Sequence, residues 1–119
     1  MAAWHAASGG GRVTLFEKQK MLGRKVRATG NGRCNITNRN IDASFYHGRN
    51  PQFVRNVFGR FGLDDTIGFF RRIGIPFVEL DGGRLYPASL QASAVTQIFE
   101  YELERLAVDI RLHRKIERL

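Results

Sequence analysis

The apolar positions of this chain change period several times, and each change marks an element. Between Arg12 and Glu17, residues Val13, Leu15 and Phe16 form a short apolar run of the kind buried in a parallel sheet. Residues Phe53, Val54, Val57, Phe58 and Phe61 recur at helical spacing. They follow Pro51, which suits a first helical turn. Asp64 is the predicted cap of a second helix carrying Ile67, Phe70 and Ile73 and ending at Gly74. Pro76 to Leu80 and Arg84 to Tyr86 flank Asp81-Gly82-Gly83, a hairpin signal. Val95, Ile98, Phe99, Leu103 and Leu106 line one face of a long helix. Strand alternation returns in Val108 to Leu112. The pattern is α/β, and these stripes are read as core.

The ends carry a separate expectation. Met1 to Ser8 is rich in alanine, the best helix former, and runs into Gly9-Gly10-Gly11 with no capping residue ahead of it. It reads as the back half of a helix whose front half is missing. The last strand is followed by neither a turn nor a partner strand in the remaining sequence.

Composition narrows the class. The chain has 119 residues, a length that fits one domain. Its net charge of +8 points to anionic partners: nucleic acid, an anionic surface or a phosphorylated ligand. The lone Cys34 has no internal disulfide partner, which favours a reducing compartment. No apolar run reaches membrane-spanning length, and no secretory signal pattern opens the chain. The expected compartment is the cytoplasm, with no membrane partner.

Most of the charge sits in one place. From Arg12 to Arg39 there are eight cationic side chains and a single carboxylate, Glu17. Within that stretch, Gly23 to Asn38 mixes glycines, arginines and short amide or hydroxyl side chains. Arginine and lysine neutralise oxyanions, and glycine admits close backbone approach. Such a segment reads as a loop around a phosphorylated, nucleotide-like ligand. It follows a strand that ends in an acid, as the second strand of a dinucleotide-binding unit does. That acid bonds ribose hydroxyls and lies roughly 20 residues past a Gly-rich turn. Here Glu17 is too near Met1 for the turn to fit, so the count places the turn upstream.

The run Glu17-Lys18, Leu22-Gly23-Arg24-Lys25 and Thr29-Gly30-Asn31-Gly32-Arg33-Cys34-Asn35-Ile36-Thr37-Asn38 resembles a family of bacterial flavoproteins. These are the NAD(P)/FAD-dependent oxidoreductases of the BaiN/RdsA type, also described as aminoacetone oxidase family FAD-binding enzymes. Gly83-Arg84-Leu85-Tyr86-Pro87-Ala88-Ser89, leading into Ala92-Ser93, resembles a second block of that family. The resemblance covers essentially the whole chain. It implies a partial Rossmann-like FAD-binding domain over residues 1–119, of the two-dinucleotide-binding-domain flavoprotein type, without its first strand and Gly-rich loop. It implies FAD as cofactor, with NAD(P)H as a candidate electron donor, and hydride or electron transfer through the flavin. Glu17 would hold the adenosine ribose with Lys18 beside it. Lys25, Thr29, Gly30, Gly32, Arg33 and Asn35 would line the pyrophosphate, ribityl and flavin side. Without the Gly-rich turn and its helix dipole, the isolated chain is expected to bind FAD weakly or not at all and to be inactive alone.

No catalytic base stands out. His5, His47 and His113 are scattered, lack metal-ligand spacing and read as surface or packing residues. Cations around Cys34 would lower its pKa and suit a redox role, but packing or backbone positioning is the favoured reading of this residue. Tyr86 and Pro87 are weak candidates for the substrate side. Two rival readings stand beside the flavoprotein fragment. One is a basic nucleic-acid-binding module, disfavoured because the basic stretch holds a single aromatic, Phe16. The other is a nonfunctional remnant.

Overall fold

The computed structural model describes residues 1–118 and, for Pro51, the backbone only. Leu119, the last residue of the expected domain, lies outside the described residues.

Alanine-rich Ala2–Ser8 forms α1, which stops at Gly9. The chain then enters β1, Thr14–Phe16. The basic stretch is not all loop. Gly23, at φ 68°, opens a short helix α2, Arg24–Ala28, followed by a 3₁₀ turn at Thr29–Gly32. Strand β2 is Thr37–Asn38, and a second 3₁₀ turn at Ala43–Phe45 is capped by Asp42, whose carboxylate accepts the Ser44 N–H. Helices α3, Pro51–Arg60, and α4, Leu63–Arg72, follow. Strand β3, Phe77–Leu80, turns through Asp81–Gly83 into β4, Arg84–Pro87. Helix α5, Ala92–Arg105, leads to β5, Asp109–Arg111.

Two sheets result. One has the order β2-β4-β3 and is antiparallel, with Val78 opposite Tyr86 and Thr37 opposite Leu85. This is the expected hairpin with one strand added. The other is β1 beside β5, parallel, with Leu15 opposite Ile110. So β5 does have a partner, reached by a long crossover that ends in α5. Parallel pairing needs such a crossover, and short-range sequence cannot announce it.

The core joins α1, α4 and α5. Trp4, Phe69, Phe70, Ile73, Ile75, Val95 and Leu103 are all buried. Trp4 meets Phe69 edge-on at 5.2 Å, and Phe69 stacks on Phe99 at 5.9 Å. Burial of each such side chain contributes roughly 1.5–3 kcal/mol.

Two expectations change here. The cap of α4 is Gly62, whose N–H donates to Asp65 Oδ2 at 2.8 Å, while Asp64 lies in the first turn. Either acid suits the positive end of the helix dipole, so the pattern alone could not choose. The α3 stripe is not all core. Phe53 is 66% exposed and Val57 43%, while Val54 and Phe58 are half-buried. The cause is a shortage of partners: Phe58 meets Tyr46 at 5.4 Å, but Phe53 lies on the far side of the helix.

Candidate functional site

The site is built outward from the end of β1. Glu17 is half-buried, and its main chain extends the parallel pair. Its N–H donates to Arg111 O at 3.0 Å, and its carbonyl accepts the Arg114 N–H at 2.9 Å. Its carboxylate accepts the Gln19 N–H at 2.8 Å, which fixes the acid within its own turn. Gly23 then brings α2 against α5. A Cβ there would lie 2.5 Å from Thr96 Cγ2, so only glycine allows this approach.

Past α2 the backbone turns left-handed repeatedly, at Gly30, Asn31, Gly32 and Cys34. The Cys34 N–H closes the turn on Thr29 O at 3.0 Å, and the Arg33 N–H on Gly30 O at 3.1 Å. A Cβ on Gly30 would sit 2.9 Å from both Asn35 N and Tyr86 Cε1, whereas Gly32 faces open space. Tyr86 and Pro87 are buried. The Arg33 guanidinium lies 5.2 Å over the Tyr86 ring. Tyr86 therefore supports the loop from below, because β4 presents it inward.

Two cavities meet at Glu17. One, of about 540 Å³, is lined by Glu17, Gly23, Thr29, Cys34 and Asn35 on its polar side and by apolar side chains of β1, α4 and α5 on the other. The second, of about 810 Å³, is lined by Glu17, Lys18, Gln19, Arg24, Lys25, Arg114 and Lys115, with Phe16 and Ile116 among its apolar walls. The structure thus brings Glu17, Thr29 and Asn35 to one cavity, and Glu17, Lys18 and Lys25 to the other. Gly30, Gly32 and Arg33 line neither. Sequence reasoning missed Arg114 and Lys115, which reach the cationic cleft only because β5 returns beside β1. Their signal was the basic Arg111–Arg118 segment.

Cys34 has the surroundings of a packing and backbone-positioning residue, and only the direction of its pKa departs from expectation. It is buried, and burial pushes its thiol pKa up, with a smaller opposing effect from a hydrogen bond to Thr29. Desolvation is the largest effect, so the cations that adjoin Cys34 in sequence do not set the direction of its shift. His5 packs against Trp4 and Phe69, as a structural histidine does. Among the described residues, no cluster of three or more His, Cys, Asp or Glu forms a metal site, and no helix is long and apolar enough to cross a membrane.

Do these residues fit a dinucleotide? An acid at a parallel-strand terminus can bond a ribose diol. Lys18, Arg24, Lys25, Arg114 and Lys115 can neutralise phosphate oxygens. Arg27, on the same α2, has a buried Nε without an acceptor among the described residues. The arrangement fits an acid-bonded ribose next to anionic groups.

A parallel strand pair joined by a helical crossover, with an acid at the first strand's end, defines a Rossmann-like α/β unit, here a partial one. The chain belongs to the family described as HI0933-like protein Rossmann domain, which matches residues 1–119. It is 43% identical over 113 residues to a 3-dehydro-bile acid delta(4,6)-reductase of Clostridium scindens, covering 95% of this chain and 27% of that protein. It is 32% identical over 111 residues to a ribosomal RNA dihydrouridine synthase of Escherichia coli, covering 93% and 28%. The corresponding enzyme of Haemophilus influenzae is 28% identical over 110 residues, covering 92% and 27%. The chain thus spans about a quarter of the length of these relatives.

Proposed function

We propose that this chain is the nucleotide-binding portion of a flavin-dependent oxidoreductase. The observation that carries the reading is the placement of Glu17 at the β1 terminus, between a cavity holding Thr29 and Asn35 and a cleft holding Lys18 and Lys25. Glu17 binds the adenosine ribose of FAD. Lys18 and Lys25, with Arg24, bind and neutralise the diphosphate. Thr29 and Asn35 face the ribityl and flavin side, while Gly30, Gly32 and Arg33 shape the turn that presents them. The bound flavin supplies hydride or electron transfer, and a reduced nicotinamide nucleotide is the electron donor of this proposal. The names of the relatives share one chemistry, saturation of a carbon–carbon double bond, in a bile acid and in RNA uridine. The substrate class we assign is accordingly an unsaturated carbon pair in an organic acceptor, reduced in the cytoplasm.

The test is equilibrium dialysis of the chain against FAD, beside Glu17→Ala and Lys25→Ala. Weak, saturable binding is expected. Loss of a hydrogen bond to a charged group, about 1.5–3 kcal/mol, predicts a drop of roughly 10–100-fold for Glu17→Ala. FAD affinity indifferent to both substitutions, in variants with unchanged circular dichroism, overturns the reading.

A further inference from the structure

A third cavity, of about 540 Å³, is lined by Asn35, Thr37, Asn38 and Asn40 and by Phe45 and Tyr46. Among the described residues no charged side chain lines it, on a chain with a net charge of +8. Arg39, the cation within that run of sequence, is tied to Glu79 at 3.1 Å instead. Phe45 is 68% exposed and Tyr46 45%, so neither ring is spent on the core. Asn35 and Ile36 line this cavity and also the one at Glu17 assigned above to the flavin side, so the two adjoin.

The backbone sets these amides in place. Asn38 Nδ2 donates to Gly82 O at 2.9 Å, and Asn38 Oδ1 accepts the Asn40 N–H at 2.8 Å. Gly83 leaves the room: a Cβ there would lie 2.9 Å from both Asn38 Oδ1 and Asn40 Nδ2. A carboxamide both donates and accepts, and an aromatic face takes a flat ring. A lining without charge offers an anion or a cation no counter-ion. Together these groups suit an uncharged flat ring with carbonyl groups on its edge.

We propose that this cavity seats the organic acceptor, and that the acceptor is an uncharged flat ring whose unsaturated carbon pair is conjugated to a ring carbonyl. The assignment rests on the flavin reading above and narrows its substrate class. Hydride delivered to one carbon of such a pair leaves the charge on the carbonyl oxygen until solvent protonates the other carbon. An amide N–H at that oxygen stabilises the charge. Asn40 supplies the donor, and Phe45 covers the ring face. Asn35, shared by both cavities, marks the side on which the ring meets the flavin.

The test titrates the full chain with uracil, an uncharged flat ring with carbonyl edges, and follows proton–nitrogen correlation signals of backbone and carboxamide groups. 2-Cyclohexen-1-one, a carbocycle with a conjugated carbonyl, tells which kind of ring fits better; saturable binding of either supports the proposal. Orotate, the same heterocycle with a carboxylate, and glucose, an uncharged ring that is not flat, are controls. Saturable shifts are expected in β2 and the Ala43–Phe45 turn. Phe45→Ala, which removes a stacking face, should weaken uracil binding about fivefold or more. Asn40→Asp keeps the side-chain shape but removes the N–H donor, and should weaken it about fivefold. Both variants should keep native circular dichroism and native FAD dialysis. That dialysis separates the two readings: FAD retained without ring binding overturns only the acceptor seat, while ring binding without FAD overturns the flavin reading and the acceptor role together. Four further results overturn the proposal: no saturable shift with either flat ring, orotate or glucose binding as tightly as uracil, uracil affinity unchanged in both variants, or displacement of FAD by uracil.

Discussion

Trp4→Phe tests how α1 is held. Trp4 is 6% exposed, and its indole N–H donates to Glu102 Oε2 at 2.8 Å. Glu102 also accepts twice from Arg105, at 3.0 and 2.9 Å. Removing the indole therefore leaves the carboxylate still paired. The loss is one hydrogen bond to a charged acceptor, at the lower end of about 1.5–3 kcal/mol. The smaller ring leaves a void beside Phe69, which costs roughly 1 kcal/mol more. The expected total is about 2–3 kcal/mol, or about 8–12 °C in melting temperature for a domain of this size. Glu102→Gln gives the matching pH test. Hydrogen bonds from Arg105, then Trp4, hold the Glu102 carboxyl below its ordinary value of 4.5. On acidification the unfolded state takes the proton first, so the contribution is complete above that value and is lost as pH falls through the folded pKa. The stability gap between native chain and Glu102→Gln should be present at pH 7 and shrink towards pH 3. Urea melts at both pH values, with the double mutant to extract coupling, provide the assay. A Trp4→Phe variant melting within about 2 °C of native refutes the reasoning, as does a Glu102→Gln gap that ignores pH.

Gly23→Ala should destabilise by about 1–3 kcal/mol, since it forces a Cβ to within 2.5 Å of Thr96 Cγ2 at a φ of 68°; Thr96→Ser should recover the steric part, and melts of single and double variants check this. Cys34 should react slowly with a thiol-specific chromogenic reagent at pH 7 in the native chain and rapidly in urea, because it is buried and its thiol is held protonated; equal rates in both states would show that the side chain is open.

The sequence by itself determined the local elements and their chemistry. Period-2 and period-3.6 apolar spacing marked β1, α4, the β3–β4 hairpin and α5, because side-chain direction follows backbone geometry residue by residue. The acid at position 17 and the cationic run after it were likewise visible as residue types. What needed tertiary structure were facts about neighbours far along the chain. The parallel partner of β1 is β5, and that pairing carries Arg114 and Lys115 to the cleft at Glu17. Gly30 and Gly23 are glycines because Tyr86, Asn35 and Thr96 crowd them, which no local pattern encodes. Phe53 has the spacing of a core residue yet faces water, since amphipathic spacing names a face but cannot say whether another element arrives to cover it. Cys34 sits among cations in sequence, but in space its burial governs, because the free energy of a charge depends on the surrounding dielectric more than on which residues adjoin it in the chain.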